Sequence, residues 1–383
     1  MWVPVFETSK LGEKPEQVVY WGSPVALFRT ASGRIAALHD ACAHRGAPLS
    51  LGNVCGETVR CPYHQFCFNS EGSCTSIPDV FQVDDAFRAG CRVRRYHVRE
   101  ALGLIWISTE DERQAPFPVS LLGEDDREVA GVGFFPVRGD IRVWMDHFLD
   151  LPHGIYLHGK TLFGGGADRP SRVGSVATVE LFPDSVFPIP RWLQFEYHVE
   201  DVSLRRRLYS PGLAVFLLLA GAGGMRPDRV RVTIDLAAPF CQKYRLESWS
   251  PLGNHSVEYW TAINPSSRDE LQFVYAGAFV KTAFGPRDRR NPVVRALQRR
   301  GLHYFLERHI GGEDARVLSE TRMVDPEDIR VTPFDAGIVA MREMLRRHIE
   351  ARAEQFPPDS LVHLFCGPAR TKLSAGRRIT VSR

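Results

Sequence analysis

The pair Cys42-Ala43-His44 and Cys61-Pro62-Tyr63-His64, with sixteen residues between its halves, limits what this chain can fold into more than any other feature. Each half places one thiol and one imidazole on a short loop. Two such loops can clamp one centre from opposite sides. That centre is either a [2Fe–2S] cluster, with two cysteines on one iron and two histidines on the other, or a structural Cys₂His₂ zinc ion. Zinc modules usually join Cys with Cys and His with His, whereas both pairs here are mixed. Neutral imidazoles in place of thiolates lower the negative charge of a cluster and make it a readier electron acceptor. A disulfide framework is the competing use of the chain's eight cysteines, six of which (Cys42, Cys55, Cys61, Cys67, Cys74 and Cys91) fall within residues 42–91. The segment Met1–Phe6, followed by Glu7, Lys10 and Glu13, has neither a basic region nor a continuous apolar run, so no secretory signal is expected. Without one, cysteine mixed with histidine favours metal ligation.

The 383 residues suffice for two domains, and 44% hydrophobic with 24% charged residues is the profile of a globular chain. A net charge of +3, with no long basic stripe, gives no case for nucleic acid. The most apolar run, Leu213–Ala220, is far below the roughly 20 residues of a membrane helix and is expected to be a buried strand. A cytoplasmic protein is the expectation. Up to residue 112, Val18–Tyr20, Pro24–Phe28, Ile35–Leu38, Val93–Val98 and Leu104–Ile107 read as short strands, with turns at Gly22-Ser23, Ser32-Gly33 and Glu71-Gly72. An all-β domain over 1–112 and a linker over 113–124, with Pro116 and Pro118, follow. Residues 125–355 mix both periods. Arg229–Leu236 alternates strictly, Val257–Ile263 and Leu271–Val280 are strand-like, and Asp335 can cap a helix with Ile338, Met341, Leu345 and Ile349 on one face. The class is α+β with a sizeable antiparallel sheet. Residues 356–383 form a basic extension to which no role is assigned.

A second pattern, Asp146-His147-Phe148-Leu149-Asp150-Leu151-Pro152-His153-Gly154-Ile155-Tyr156-Leu157-His158, contains Asp-x₂-His-x₄-His. Asp150 and His153 share a helix face. His158 would rotate out of line on a regular helix, so Pro152 and Gly154 predict a broken one that brings both imidazoles to one metal. Two histidines and a carboxylate leave positions on iron open to oxygen and substrate.

Cys42–Gly46 and Cys61–His64 resemble the Rieske fingerprint. Ala47 and Tyr63 stand where respiratory Rieske proteins carry an extra disulfide, so the oxygenase or ferredoxin type is indicated. Gln65-Phe66 departs from the Gly-Trp common after the second histidine. Together, the two patterns resemble the Rieske non-heme iron oxygenases over nearly the whole chain, including chlorophyllide-a-oxygenase-like and aminopyrrolnitrin-oxygenase-like members. The resemblance implies a Rieske [2Fe–2S] domain held by Cys42, His44, Cys61 and His64, and a catalytic domain of helix-grip type with the sheet flanked by helices. It implies mononuclear Fe(II) on His153, His158 and a downstream carboxylate, chosen as Asp314, with Glu313, Asp325 and Asp328 as fallbacks. Asp314 is expected just before an apolar-containing helix. Asp150 is implied to bridge a cluster histidine of a neighbouring subunit to an iron histidine. His147, often asparagine in related members, is expected to face the core, with a contact near iron as the other reading.

The implied activity is that of a multicomponent monooxygenase acting on O₂ and a small molecule, fed by a reductase and, in some systems, a ferredoxin, and built as a homotrimer. Hydroxylation, N-oxidation, demethylation and desaturation remain open, and an arene dioxygenase is disfavoured by chain length. Aromatic residues such as Trp192, Tyr259, Trp260 and Phe273 are expected mainly to fill the core and partly to line an apolar pocket. Gly164-Gly165-Gly166 is expected to be a loop at its mouth. Arg287, Arg289, Arg290, Arg295, Arg299 and Arg300 are expected to be a solvated face rather than a ferredoxin dock. Two other classes compete: an electron carrier fused to a ligand-binding module without working iron, and a zinc-stabilised binding protein.

Overall fold

Short β-branched and aromatic runs at the start of the chain pair into a six-stranded antiparallel sheet in a computed structural model, which describes residues 2–111, 113, 117, 131–150, 153, 157–158, 172–176, 180–182, 192–200, 229–237, 241–250, 253–266, 270–281, 292–322, 335, 338 and 341–342. Its strands are β1 (Val3–Glu7), β2 (Glu16–Tyr20), β3 (Ser23–Arg29), β4 (Ile35–His39), β9 (Arg95–Ala101) and β10 (Leu104–Ser108), in the order β1-β10-β9-β4-β3-β2. Trp21 and Gly22, both with positive φ (52° and 80°), make the two-residue turn between β2 and β3. The ninth strand starts at Arg95 and not at Val93, because the Val93 amide is already spent on the carbonyl of Gly72 (2.8 Å).

A second, four-stranded sheet is built from β5 (Asn53–Cys55), β6 (Thr58–Arg60), β7 (Cys67–Asn69) and β8 (Cys74–Ser76). Each strand is three residues long, too short to show alternation, so the sequence reading passed over all four. Leu38, Leu49, Val59, Phe66 and Phe68 form one buried cluster with Cys42 and Cys61. The two ligand-bearing loops are thereby rooted in a buried core.

Contacts divide the chain into Met1–Pro118 with Asn264–Ser266, and Val119–Ile263 with Ser267–Arg383. In the second unit, β11 (Gly131–Arg138), β12 (Arg172–Val176), β13 (Glu180–Phe182), β14 (Trp192–Glu200), β15 (Arg229–Ala237), β16 (Cys241–Ser250), β17 (Gly253–Pro265) and β18 (Glu270–Lys281) form an eight-stranded sheet. The order is β11-β18-β17-β16-β15-β14-β12, with β13 also on β14, and the alternating run Arg229–Leu236 lies in β15. Tyr259, Trp260 and Phe273 belong to β17 and β18, and the latter two are fully buried core.

Helix α2 (Ile141–His147; α1 is Asp85–Gly90) starts at Asp140, whose carboxylate accepts the Arg142 amide at 2.8 Å. It buries Ile141, Val143, Trp144 and Met145. Its end is tied to the sheet by the Tyr244 hydroxyl, which donates to the Phe148 carbonyl at 2.8 Å. Helix α3 (Pro292–Leu306) lies on β18 so closely that a Cβ at Gly277 would come within 2.1 Å of Leu302. Leu302 and Leu306 are buried, while Arg299 and Arg300 are exposed, as expected of a solvated basic face. The chain then widens into a π-helical stretch, Glu307–Asp314, and resumes as α4 (Ala315–Leu318). Asp314 therefore sits at a joint inside a continuous helix, not ahead of one.

Ile338, Met341 and Arg342 are helical and Met341 is buried. Leu345, Ile349, the run Leu213–Ala220, Gly164–Gly166, Arg287, Arg289, Arg290, Asp325, Asp328 and residues 356–383 lie outside the described residues. No helix among the described residues is long and apolar enough to cross a membrane.

Gly72 (φ +75°) turns the chain between β7 and β8, and a Cβ there would meet the Val93 carbonyl oxygen at 1.9 Å. Backbone cannot yield as a side chain can. Gly72→Ala should therefore destabilise this unit by about 1–3 kcal/mol, read as a lower thermal midpoint for loss of its near-ultraviolet circular dichroism.

Candidate metal centres

The two cysteine–histidine loops are built alike. In the first, Cys42 N–H donates to Ala47 O (2.9 Å) and Gly46 N–H to Cys42 O (2.8 Å). In the second, Cys61 N–H donates to Phe66 O (2.8 Å) and Gln65 N–H to Cys61 O (3.1 Å). The fourth residue after each cysteine takes a left-handed conformation, Gly46 at φ 70° and Gln65 at φ 63°. Gln65 thus adopts the glycine-like backbone itself, and its exposed side-chain amide reaches back to the Cys61 and Pro62 carbonyls at 3.5 Å, so the loop closes at Gln65-Phe66 as the first loop does at Gly46-Ala47. Phe66 is fully buried and stacks on His44 (4.7 Å, 3°), while Phe81 packs edge-on against His44 and His64 at 5.3 and 5.6 Å.

The donors are sorted by depth. Cys42 and Cys61 are buried and adjacent; His44 and His64 are half-buried, with ring centroids 4.6 Å apart. Burial, reinforced by the neighbouring Cys61 thiol, pushes Cys42 up to about 11, so a metal must displace its proton. The Nδ1 of His44 is buried without a hydrogen-bond partner among the described residues, an inward-facing donor with nothing to bind. The seven cysteines among the described residues are all free thiols. Two deep thiols and two shallower imidazoles fit a [2Fe–2S] cluster whose histidine-bearing iron lies nearer the surface.

The second constellation draws on elements far apart in sequence. Helix α2 ends at His147, and a helical hydrogen bond reappears where the Leu157 amide donates to His153 O (2.6 Å). Asp150 caps that turn by accepting the His153 amide at 3.4 Å, and its peptide oxygen lies against Nδ1 of the same ring. His153 and His158 are brought together at 5.4 Å between ring centroids, while Pro152 and Gly154, expected to break the helix there, lie outside the described residues. From the helix joint, Asp314 reaches both sides of the cluster: Oδ1 is 3.0 Å from His158 Nε2 and Oδ2 is 3.1 Å from His147 Nε2. His147, His153 and Asp314 hold donor atoms within 4.8 Å of one another.

Three assignments change or sharpen. His147, read as a residue facing the core, is buried but spends its Nε2 on Asp314 and packs its ring on His153 at 3.9 Å. Glu313, a fallback ligand, binds Nδ1 of His158 at 2.7 Å, on the side of the ring away from Asp314. His309, which the sequence reading passed over, lies 3.3 Å from the same Glu313 oxygen. Its signal was the i,i+4 spacing to Glu313, visible only once that segment is known to be helical.

Electrostatics separate the roles. Burial, helped by His147, lowers His153 to about 3, so it stays neutral and ready to ligate. Burial alone would lower His158, but Asp314 and Glu313 raise it above its ordinary value. Burial alone would raise Asp314, but His147 and His158 outweigh it and hold the carboxyl below the usual carboxylate range. An ionised buried carboxylate beside imidazoles is the donor chemistry of a divalent iron site, and the residues fit that group.

The Rieske [2Fe–2S] domain family matches residues 1–87. Among curated relatives, a toluene-4-sulfonate monooxygenase system iron-sulfur subunit of Comamonas testosteroni is 31% identical over 44% of this chain and 48% of the relative. The dicamba O-demethylase oxygenase component of Stenotrophomonas maltophilia is 33% identical over 45% of this chain and 50% of the relative. The matched stretch thus spans about half the length of these relatives. The fold is similar to that of dicamba monooxygenase solved with dicamba, with a TM-score of 0.66 at 20% identity over 92% of this chain and 98% of that one. NdmA of Pseudomonas putida, solved with caffeine, gives 0.67 at 18% identity over 92% and 91%.

Glu313→Gln removes the charge that holds the Nδ1 proton of His158 in place. It should weaken Fe(II) binding by about 10–100-fold, measured by chelator competition, while the visible spectrum of the cluster stays unchanged.

Proposed function

We propose that the chain, which carries a Rieske [2Fe–2S] domain, is a Rieske non-heme iron oxygenase and the oxygenase component of a multicomponent monooxygenase. It takes electrons from an external reductase, directly or through a ferredoxin, and uses O₂ to oxidise a mostly apolar, ring-bearing small molecule in the cytoplasm. The observation that carries this reading is the convergence of Asp314 on His153 and His158 across more than 150 residues of chain, downstream of a loop pair suited to a redox cluster. The ring compounds in the relatives' names, toluene-4-sulfonate and dicamba, support the substrate class.

Cys42, His44, Cys61 and His64 hold the cluster, and His153, His158 and Asp314 hold the iron. Bound there, the two groups supply one-electron storage and O₂ activation, respectively. The protein's own work is positional. Glu313 fixes the His158 tautomer by accepting at Nδ1, which turns Nε2 toward the metal. The peptide oxygen of Asp150 does the same at Nδ1 of His153. Trp144, Phe148 and Phe273, all buried, keep water from the α2 side of the site. The Asp150 carboxylate remains 39% exposed, accessible to a second protein surface. In this reading it meets a cluster histidine of a neighbouring copy, within a head-to-tail homotrimer.

Iron and acid-labile sulfide per chain provide the test. About three irons to two sulfides, with one iron lost selectively in Asp314→Ala, is the expected result. Two irons to two sulfides, unchanged after added Fe(II), would leave an electron carrier and sink the oxygenase reading. Asp150→Asn should keep both metals while turnover falls about 100-fold, and full activity in that variant would refute the bridge.

A further inference from the structure

Besides Cys42 and Cys61, two more thiols lie in the same buried cluster, Cys74 and Cys91. Cys74 opens β8, and Cys91 follows α1 directly. The segments that carry them run antiparallel around a bridge between Ser73 and Arg92. Cys74 N–H donates to Cys91 O (3.1 Å) on one side of that bridge, and Val93 N–H to Gly72 O (2.8 Å) on the other. Arg92 is exposed and Ser73 half-buried, whereas Cys74 and Cys91 are both buried, as strand alternation requires. Their side chains are hydrogen-bond neighbours. Directly opposed residues hold their Cβ atoms about 4.5–5.5 Å apart, a small movement from the geometry of a disulfide. Cys67, on β7, is directed elsewhere: its Sγ lies 3.5 Å from Gln65 O, and it hydrogen-bonds to Arg60.

The chain between the two cysteines is a flap. Of residues 75–90 only Ile77 is buried, and α1 buries none of its side chains. The flap carries Phe81, which lies edge-on to His44 and His64 at 5.3 and 5.6 Å. A segment with so few buried contacts opens at low cost. While it is closed, burial and the neighbouring Cys91 push Cys74 up to about 12, and burial raises Cys91 as well. Both then stay thiols and react slowly. Opening brings them into water and returns their ordinary reactivity.

We propose that Cys74 and Cys91 are a redox modification site, joined by hydrogen peroxide into a disulfide that pins the flap carrying Phe81 over His44 and His64. Peroxide oxidises one thiol to a sulfenic acid and leaves as water, and the second thiol then displaces another water. Two S–H bonds and the O–O bond are thus replaced by one S–S bond and two waters, and the two electrons lost by sulfur reduce the peroxide oxygens. In a reducing compartment the pair rests as two thiols, and an external thiol reverses the bond. Once closed, the loop loses its open states, and Phe81 stays on the imidazoles.

The experiment treats the full chain, cluster in place, with equimolar hydrogen peroxide, quenches it in acid with N-ethylmaleimide and maps the peptides by mass. The expected product is a peptide pair joined through Cys74 and Cys91 and separated by dithiothreitol. In the oxidised protein, proteolysis within residues 82–90 and loss of cluster iron to a chelator should both slow by about 10–100-fold. Cys55→Ala, outside the pair, should keep this protection, and Cys91→Ala should lose it. Oxidised and reduced wild type are compared directly, so the test stands even where Cys91→Ala fails to fold. Recovery of Cys74 and Cys91 as thiols or as separate oxygen acids, or a bond from Cys74 to Cys67, would overturn the site. A Cys74–Cys91 bond that leaves both rates unchanged would overturn the pinning of Phe81. None of these readouts depends on turnover, so failure of the oxygenase reading leaves them standing.

Discussion

An ionised carboxylate in a nearly closed interior is the constraint on which the second unit depends. Asp314 has almost no access to water, so its charge survives only because histidines surround it. That requirement reaches across the chain. It needs α2 to end where His147 faces inward, His153 and His158 to approach one another beyond it, and the helix after Leu306 to deliver its acidic pair at the right angle. Breaking such an arrangement from one side leaves an uncompensated charge, which costs more than the pair contributes. The apolar packing around it, from Trp144 to Phe273, serves to hold these donors still.

The amino-terminal unit solves a related problem by repetition. Two loops with matching hydrogen bonds, each closing through a left-handed residue, face one another over a shared aromatic floor. The small four-stranded sheet ties their ends together, β6 leading into the second loop and β7 leaving it. Depth then divides the labour. Deep thiols are shielded from solvent, while the imidazoles lie where an electron partner can approach.

Much of this was legible in the sequence because certain spacings admit few structures. The mixed Cys–His pairs, the approach of His153 to His158 and the alternation in β15 all have direct counterparts in three dimensions. What escaped was set by register that composition does not encode. Strands of three residues carry no period, so the sheet around the cluster loops was invisible. His147 looked like core because its partner lies over 160 residues away. Asp314 was preferred to Glu313 on the resemblance and not on spacing, since which oxygen reaches which nitrogen of His158 depends on the pitch of the segment that carries them. Gln65 warned of distortion, yet the loop accommodates its side chain at the surface, folded over its own carbonyls.

The pitch of Glu307–Asp314 carries a consequence for how such a site changes over generations. A π-helical turn holds one residue more than the α-helical turn it replaces, and is tolerated where function rewards it. The stretch therefore behaves as a single-residue insertion retained inside an ordinary helix. Deleting one residue within it ahead of Asp314 would let the segment relax to regular geometry and rotate everything beyond by about 100°. The helix itself would gain in regularity, and its buried leucines before the joint could keep their places. Asp314, however, would turn away from His158. The wide turn is the departure from regular helix geometry that delivers Asp314 to His158.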